Sequence, residues 1–544
     1  MPLAMDFGTC NTVLARWQPS SRQVKTLQIG GPTRIYNYLI PGTQKRQLSA
    51  VIPSLIHYGS RVDIAHAGKT IGAQVENVGL ATDRGTFRWM KLDLLKGNNR
   101  ARRINGQLIT PRQAAESFIE QVLFAAAGNE DEDLVITLPI ESFDHYANWL
   151  QNTTSRVFPG RIRMLDEATA CILGYGTRVR EGQVYIVFDF GGGTLDISVV
   201  KILELDADQT RPCIVLGRSG EEIGGALVDQ WLLKELAQAQ GLNSDTIGAI
   251  GSDLLHAIEN AKVKLSDGIE QVKVEHFDGA KRISHTFSVT DLRHVLEADR
   301  VSLGNRNFYR LISLTLERAL TQAQERYATK RSDIRAVFMV GGSSLLLGVA
   351  DLVKNLLPDC PVHCENPFEA IARGACRYAG GNINLTLVHD YCLRAWDSER
   401  SEYSLIPIIP KGTHYPTERP ISIKYINGAC EGSEYLSLVV IERSEMVRPE
   451  GLWEIIGGRL QRRTTDWHTD NALKELNPAD REFIHANPSC IAGARRFIAS
   501  FGVDANKRLT ISLKDLNPEG NSTIQFSDGK HLPLPIQDLP FVKL

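Results

Sequence analysis

The 544-residue sequence predicts a mixed α/β fold, an internally duplicated α/β unit followed by a β-rich domain. Three observations carry this. The stretch Met5-Asp6-Phe7-Gly8-Thr9-Cys10-Asn11-Thr12 returns, altered, as Phe188-Asp189-Phe190-Gly191-Gly192-Gly193-Thr194-Leu195-Asp196. Strand-like and helix-like runs alternate as far as Gly380-Gly381. Beyond that point helices become scarce and period-two alternation takes over.

Each copy of the repeat is an apolar run, then Asp-Phe-Gly, then small and hydroxyl residues, then a second apolar run. That pattern reads as a strand, a tight glycine turn and a return strand, with an Asp at the turn. Glycine lets the main chain approach an anion and aim successive N–H groups at it. Threonine hydroxyls add donors, and an Asp at each turn suits the water shell of a magnesium ion. Either hairpin alone could be an ordinary glycine turn. Two matching copies predict hairpins that face one another around the phosphates of a nucleotide.

The other elements follow in order. Thr110-Pro111-Arg112-Gln113 reads as an N-cap, a first-turn proline and a capping-box glutamine. Behind it Ala115, Phe118, Ile119, Val122, Leu123 and Ala126 keep helical spacing on one face. Leu134 to Leu138 is a buried strand ending at Pro139, Val184 to Phe190 a second, and Arg335 to Val340 a third that runs into Gly341-Gly342. Ligand loops at strand ends are expected of such a unit. The first domain is placed at 1–380, a linker at 381–392 around Ile383 to Asp390, and a β-rich domain at 393–544. In the last, Ile421 to Tyr425, Leu436 to Val440 and Leu509 to Lys514 alternate, separated by turns such as Asp504-Ala505-Asn506 and Asn517-Pro518-Glu519-Gly520. A more polar piece at 443–492, with Asn477-Pro478 and Asn487-Pro488, reads as an insertion.

The formal charge of −2 predicts no affinity for polyanions, so neither nucleic acid nor an acidic membrane is an expected partner. The first strand begins too close to Met1 for a leader segment, and no apolar run is long enough to span a bilayer. Nine scattered cysteines, an odd count, suggest reduced thiols and a cytoplasmic protein. Cys360, His363 and Cys364 lie close together, but a fourth ligand is missing and Pro361 constrains the turn, so a zinc site is not expected.

Taken together, these residues resemble the actin-like ATPase superfamily and, within it, the DnaK-type heat shock protein 70 chaperones. Asp6 to Asn11 is similar to the first phosphate motif and Asp189 to Asp196 to the second. Leu165 to Gly176 resembles the connecting-helix motif, with Glu167 on its glutamate. Val340-Gly341-Gly342-Ser343-Ser344 looks like the adenosine motif, and Asn366 to Ala375 like the segment that closes the ATPase domain. Ile258 to Lys262 matches the helix that holds ribose and adenine, and Ile52 to Ile56 and Gly224-Gly225 also fit. The resemblance runs through about residues 3 to 380. Leu405 to Thr413 and Phe501 to Asn506 are weaker matches to the β-sandwich peptide-binding domain, and no helical lid follows before Leu544.

The resemblance implies ATP/ADP and Mg2+ as cofactors, with Asp6 and Asp189 orienting the magnesium shell. It implies Lys91, Glu167, Asp189 and Thr194 as catalytic. Nucleotide contacts would come from Asp6, Gly8, Thr9, Cys10, Asn11, Gly191, Gly192, Gly193, Thr194, Gly225, Glu259, Lys262, Ser266, Gly341, Gly342 and Ser343. Lys91 stands one place off the family's lysine and is favoured over Arg88. Asp196 is either a metal partner or a turn residue. Leu345 replaces the adenine-stacking arginine, Phe368 an aspartate, Ala226 an acidic residue and Cys10 a threonine, and no arginine stands near Ala147. Weaker nucleotide binding and an altered signal between domains are expected. The implied activity is ATP hydrolysis coupled to binding of unfolded or partly folded polypeptide, with a co-chaperone and an exchange factor as further partners. A sugar kinase has no use for the β-rich module. A nucleotide-gated scaffold or filament-forming relative is the alternative. The kinase meaning of Asp-Phe-Gly falls because no His-Arg-Asp loop accompanies it.

Overall fold

A computed structural model of the chain describes residues 2–540 apart from 19–20, 22, 60–68, 96, 99, 127–131, 140–143, 203–212, 243, 279–280, 380–384, 388–389, 398–401, 411–412, 418, 429, 445–452, 457–458, 463–471, 478–483, 505–507 and 527–530. The repeat found in the sequence is repeated at the level of topology. In the first lobe β1 (Leu3–Phe7) turns into antiparallel β2 (Asn11–Gln18), with Phe7 opposite Thr12. Strands β3 (Gln23–Thr26), β4 (Arg34–Leu39) and β5 (Arg46–Pro53) extend the sheet beyond β2. On the other side β6 (Leu134–Leu138) and β7 (Ile162–Asp166) add in parallel, giving the order β7-β6-β1-β2-β5-β4.

The second lobe has the same plan. Strands β8 (Val184–Phe190) and β9 (Leu195–Ile202) form the hairpin, β10 (Cys213–Glu221) lies beyond β9, and β11 (Ile334–Val340) and β12 (Val362–His363) add in parallel beside β8. Every residue of β6 is buried, as expected of a parallel strand covered on both faces. The helix Pro111–Ala126 supplies part of that cover and starts as its sequence predicts. Thr110 N donates to Gln113 Oε1 at 2.9 Å, and Gln113 N to Thr110 Oγ1 at 3.2 Å.

Two helices, Glu167–Tyr175 and Ala370–Ala379, join the lobes at the base of the cleft. They cross so closely that a β-carbon on Gly374 would lie 1.7 Å from the Ala170 carbonyl oxygen, and one on Gly174 2.0 Å from that of Ala370. Their small residues Ala168, Ala170, Ala372 and Ala375 are buried in the same core.

Beyond residue 390 the described elements are all strands. Asp390–Asp397 pairs with Glu402–Ile409 and Val439–Ser444. A second sheet runs Ser422–Asn427, Arg495–Val503, Leu509–Asp515, Ile536–Pro540, and a third Ser433–Leu436, Ile484–Cys490, Thr523–Gln525, His531–Pro533. The run Leu436 to Val440 is not one strand but the junction of two, in different sheets. Asn477 is the reason: its side chain donates to Leu438 O at 2.6 Å and accepts from Val440 N at 3.0 Å, replacing a strand partner there. Segment 443–492 also differs from a plain interruption, since Ala472–Glu475 and Ile484–Cys490 pair into these sheets. Of the linker, Leu385–Thr386 pairs with His414–Tyr415 and lies against β10. Residues 381–384 and 388–389 of the linker, and Ala505 and Asn506 of the expected turn, lie outside the described residues; Asn517 to Gly520 closes its turn through Gly520 N to Asn517 O at 3.0 Å. All nine cysteines are free. Among the described residues no helix is long and apolar enough to cross a membrane.

The helix crossing sets a testable expectation. Gly374→Val would force the two central helices apart and should cost about 3 kcal/mol or more, read as a drop in unfolding midpoint. Exposed Gly241→Ala meets open space, so its cost should be limited to about 1–2 kcal/mol of backbone strain at its positive φ.

Candidate functional site

The two glycine turns meet. A β-carbon on Gly192 would lie 2.2 Å from the Cys10 sulfur, so only glycine lets the loops approach. In the first loop Ser54 Oγ donates to Gly8 O at 2.8 Å, Ser54 N donates to Cys10 O at 2.8 Å, and Asn11 opens β2 beside Arg34. In the second loop Gly191 N donates to Thr194 O at 2.9 Å, Gly192 O accepts from Ala226 N at 2.9 Å, and Gly193 faces Leu92. Thr9 and Thr194 are half-buried at the turns. Cys10 is not poised for thiolate chemistry: burial, then the Glu259 charge, pushes its thiol up to about 12.

Carboxylates from both halves gather beneath these loops. Asp6 stands at the end of β1 and accepts from Thr137 Oγ1 of β6 at 2.7 Å. Asp189 of β8 is opposite Asp196 of β9. Glu167 is the first residue of the helix that Asp166 caps, accepting from Thr169 N at 2.8 Å. Lys91 Nζ donates to Glu167 Oε1 at 2.6 Å, with both side chains largely buried. Arg88 points elsewhere and pairs with Glu259 at 2.9 Å. Burial, then the charge on Glu167, pushes the Asp6 carboxyl up to about 6. Burial likewise holds Asp189 well above the carboxylate range, with Glu167, Asp196 and Asp6 adding to it. Such an excess of negative charge suits a divalent cation held through its water shell. Among the described residues no three His, Cys, Asp or Glu side chains converge closely enough to ligate a metal directly.

The opposite wall comes from the second lobe. Gly225 begins the helix Gly225–Ala239, and its N–H donates to Ser343 Oγ at 3.0 Å. Lys262 is buried, donating to Gly225 O at 2.9 Å and pairing with Asp229 at 2.7 Å. Burial raises the Glu259 carboxyl, but Arg88 and Lys262 outweigh it and hold the group below its ordinary value. Ser266, the last residue of the helix Ser244–Ser266 that carries Glu259 and Lys262, accepts from Leu347 N at 3.4 Å, and Gly341 N donates to Pro367 O at 2.7 Å. Gly342 faces Phe368, whose ring packs at 5.0 Å from Tyr36 and 5.4 Å from Tyr38 of the first lobe. Leu345 packs into the core beside this turn.

Sequence reasoning passed over Thr137 and Asp229. Thr137 sits in the strand beside β1, in register with Asp6, and a polar residue two places before the strand-ending Pro139 was its only signal. Asp229 lies one helical turn after Gly225, facing Lys262.

The raised Asp6 carboxyl gives a pH dependence of defined sign. An unfolded aspartate titrates near 3.9, so the folded, metal-free protein holds this proton more tightly. Its contribution to stability is present at acid pH and lost as pH rises through about 6. Urea denaturation in chelator, between about pH 4 and pH 7, should show this loss, and Asp6→Asn should make it smaller, with the part due to Asp189 remaining.

Comparison with known proteins agrees with this geometry. Residues 125–391 match the family model for Hsp70 protein. Over 425 residues the chain is 25% identical to the chaperone protein DnaK of Ureaplasma urealyticum serovar 10, covering 76% of this chain and 64% of that relative. It is 24% identical over 491 residues to the DnaK of Ureaplasma parvum serovar 3, covering 88% and 74%. With the DnaK of Guillardia theta it shares 24% over 555 residues, covering 98% and 80%. The chain thus spans just under two thirds of the first of these relatives and more of the other two. The family model matches just under half of the chain, and the duplicated lobes and facing glycine turns agree with its similarity to the Hsp70 family and to the DnaK chaperones.

Proposed function

We propose that the chain is an ATP-hydrolysing chaperone in which nucleotide state controls polypeptide binding by the C-terminal β domain. The observation that carries the first half is the meeting of the two glycine turns above Asp6, Asp189, Glu167 and Lys91. Members of the Hsp70 family are ATPases. The proposed domains are 1–380, a linker at 381–392 and 393–544.

In this reading the backbone N–H groups of Gly8 to Asn11 and Gly191 to Thr194 bind the phosphates, and Thr9 and Thr194 add hydroxyl donors. Asp6 and Asp189 hold the water shell of magnesium, which supplies neutralising charge to the phosphates when bound. Lys91, positioned by Glu167, presents an ammonium to the terminal phosphate, and Asp189 and Glu167 orient the attacking water. The 2.6 Å Lys91–Glu167 contact supports Lys91 over Arg88 in this role. Glu259, Lys262, Ser266, Gly225 and the Gly341-Gly342-Ser343 turn line the nucleoside side. Lys262 is already engaged by Asp229, so its part is to hold the wall together as much as to touch ligand.

The second half rests on apolar surface. Trp396, Tyr403, Ile423 and Tyr425 are more than half exposed, all on C-terminal strands, and among the described residues Ser422–Asn427 is an edge strand of its sheet. An extended segment of unfolded polypeptide could pair with that edge and lay apolar side chains on the aromatic residues. Leu385–Thr386, between the domains and against β10, is placed to carry the signal. A co-chaperone and an exchange factor are proposed as further partners.

The primary experiment is affinity for an unfolded, apolar-rich peptide, measured with ATP and again with ADP. A difference of fivefold or more is expected, together with the reciprocal effect of peptide on nucleotide affinity. Equal affinities would point to a β module that docks a dedicated partner. Asp189→Asn and Lys91→Ala should each reduce turnover at least a hundredfold while leaving the circular dichroism spectrum unchanged; unchanged turnover in both would remove the site assignment.

A further inference from the structure

Arg34, Tyr36 and Tyr38 alternate along β4 and so share one face of that strand. Contacts of these three side chains run across the cleft. Tyr38 donates to Glu365 O at 2.9 Å, and the Tyr36 ring lies 5.0 Å from that of Phe368. Phe368 in turn packs on Gly342, where a β-carbon would meet its ring at 3.0 Å. At the other end of the row the Arg34 guanidinium lies over the Tyr36 ring, 5.1 Å from its centroid. Arg34 Nη2 there reaches Asn11 Oδ1 at 3.4 Å. The row therefore joins the first glycine turn to the Gly341-Gly342 turn, and Arg34 stands at its Asn11 end.

What Arg34 offers there follows from how it is held. Its Nη1 donates to both carboxylate oxygens of Glu76, at 3.0 and 3.1 Å, so this end is already committed to an anion. The flat face of the guanidinium is differently placed. Tyr36 backs it from one side, and the Arg34 side chain keeps 31% of its surface exposed. A guanidinium laid on an aromatic ring and pinned by a carboxylate is a preorganised planar layer. Such a layer suits a second flat π-system, which a nucleobase supplies and a phosphate does not. Neighbouring side chains are spent otherwise. Phe368 is only 9% exposed, and Leu345 packs against the core. Arg88 lies over Trp89 at 4.9 Å and pairs with Glu259.

We propose that Arg34 is the nucleobase-stacking residue of this chain: its guanidinium, backed by Tyr36 and held by Glu76, covers one face of the base of a bound nucleotide. The stacking layer thus comes from the first lobe, while the Gly341-Gly342 turn belongs to the second, so a bound base touches both. Only the base feels this layer; the phosphates are held by the glycine turns without it. This deepens the ATPase reading above and rests on it.

The test compares wild type with Arg34→Lys, which keeps a positive charge opposite Glu76 but has no planar face. Affinities for ADP and for inorganic tripolyphosphate, both with magnesium, are measured by calorimetry on the full chain, alongside the unfolding midpoint without ligand. The variant should bind ADP about tenfold more weakly and tripolyphosphate within about twofold of wild type. Arg34→Gln should show the same split between the two ligands. The midpoint of Arg34→Lys should match wild type, because the ion pair is kept. Unchanged ADP affinity in both variants would overturn the inference while leaving the ATPase reading intact. An equal loss for ADP and tripolyphosphate would also overturn it, since Arg34 would then act on the phosphates or on the fold. Wild-type protein that binds neither ligand would bring down the nucleotide reading and this inference together.

Discussion

The contact between the two central helices at Gly174 and Gly374 is the constraint on which everything else depends. Each helix follows a strand end or turn that carries site residues, and each belongs to a different lobe of the duplicated fold. Backbone against backbone, with no side chain between, the pair brings the two sheets close at one end. That closeness lets the Cys10 and Gly192 turns meet. A larger residue at the crossing would widen the base of the cleft and separate the turns above it. Packing at the helix crossing and the meeting of the glycine turns are thus one problem, solved by small residues.

The second consequence of bringing the halves together is electrostatic. Each strand end carries its Asp for local reasons, yet the superposed halves place Asp6, Asp189, Asp196 and Glu167 around one lysine. Burial and mutual repulsion raise Asp6 and Asp189 and make the site a poor place for their charges. In the proposed function a cation and a polyphosphate relieve that repulsion together. Stability is spent at the site in return for binding, which is where such conflict is expected.

The nucleoside side departs from the family it resembles. Where an arginine is expected, Leu345 joins the core, and where an aspartate is expected, Phe368 stacks with Tyr36 and Tyr38 across the cleft. Tyr38 also donates to Glu365 O at 2.9 Å, and Gln47 to Asn366 at 2.8 Å. The β4–β5 hairpin therefore grips the opposite lobe through aromatic and neutral polar contacts and through Asp267, which pairs with Arg46 and accepts from Leu39 N. Two further ion pairs lie nearby, Arg34–Glu76 and Arg88–Glu259.

What the sequence by itself determined is local and repetitive. The two Asp-Phe-Gly turns, the capped helix after Thr110 and the alternation of Leu509 to Lys514 were legible because glycine, capping residues and period-two patterns act over a few neighbours. The meeting of the halves was also legible, but only because the chain repeats itself. Tertiary structure alone decided the pairings between distant residues. Lys91 found Glu167 while Arg88, three residues earlier, found Glu259. Thr137 reached Asp6, and Asn477 broke the run from Leu436 to Val440 from across a sheet. Such partners are chosen by where a side chain ends up in space, and sequence spacing carries no record of that until the lobes have closed.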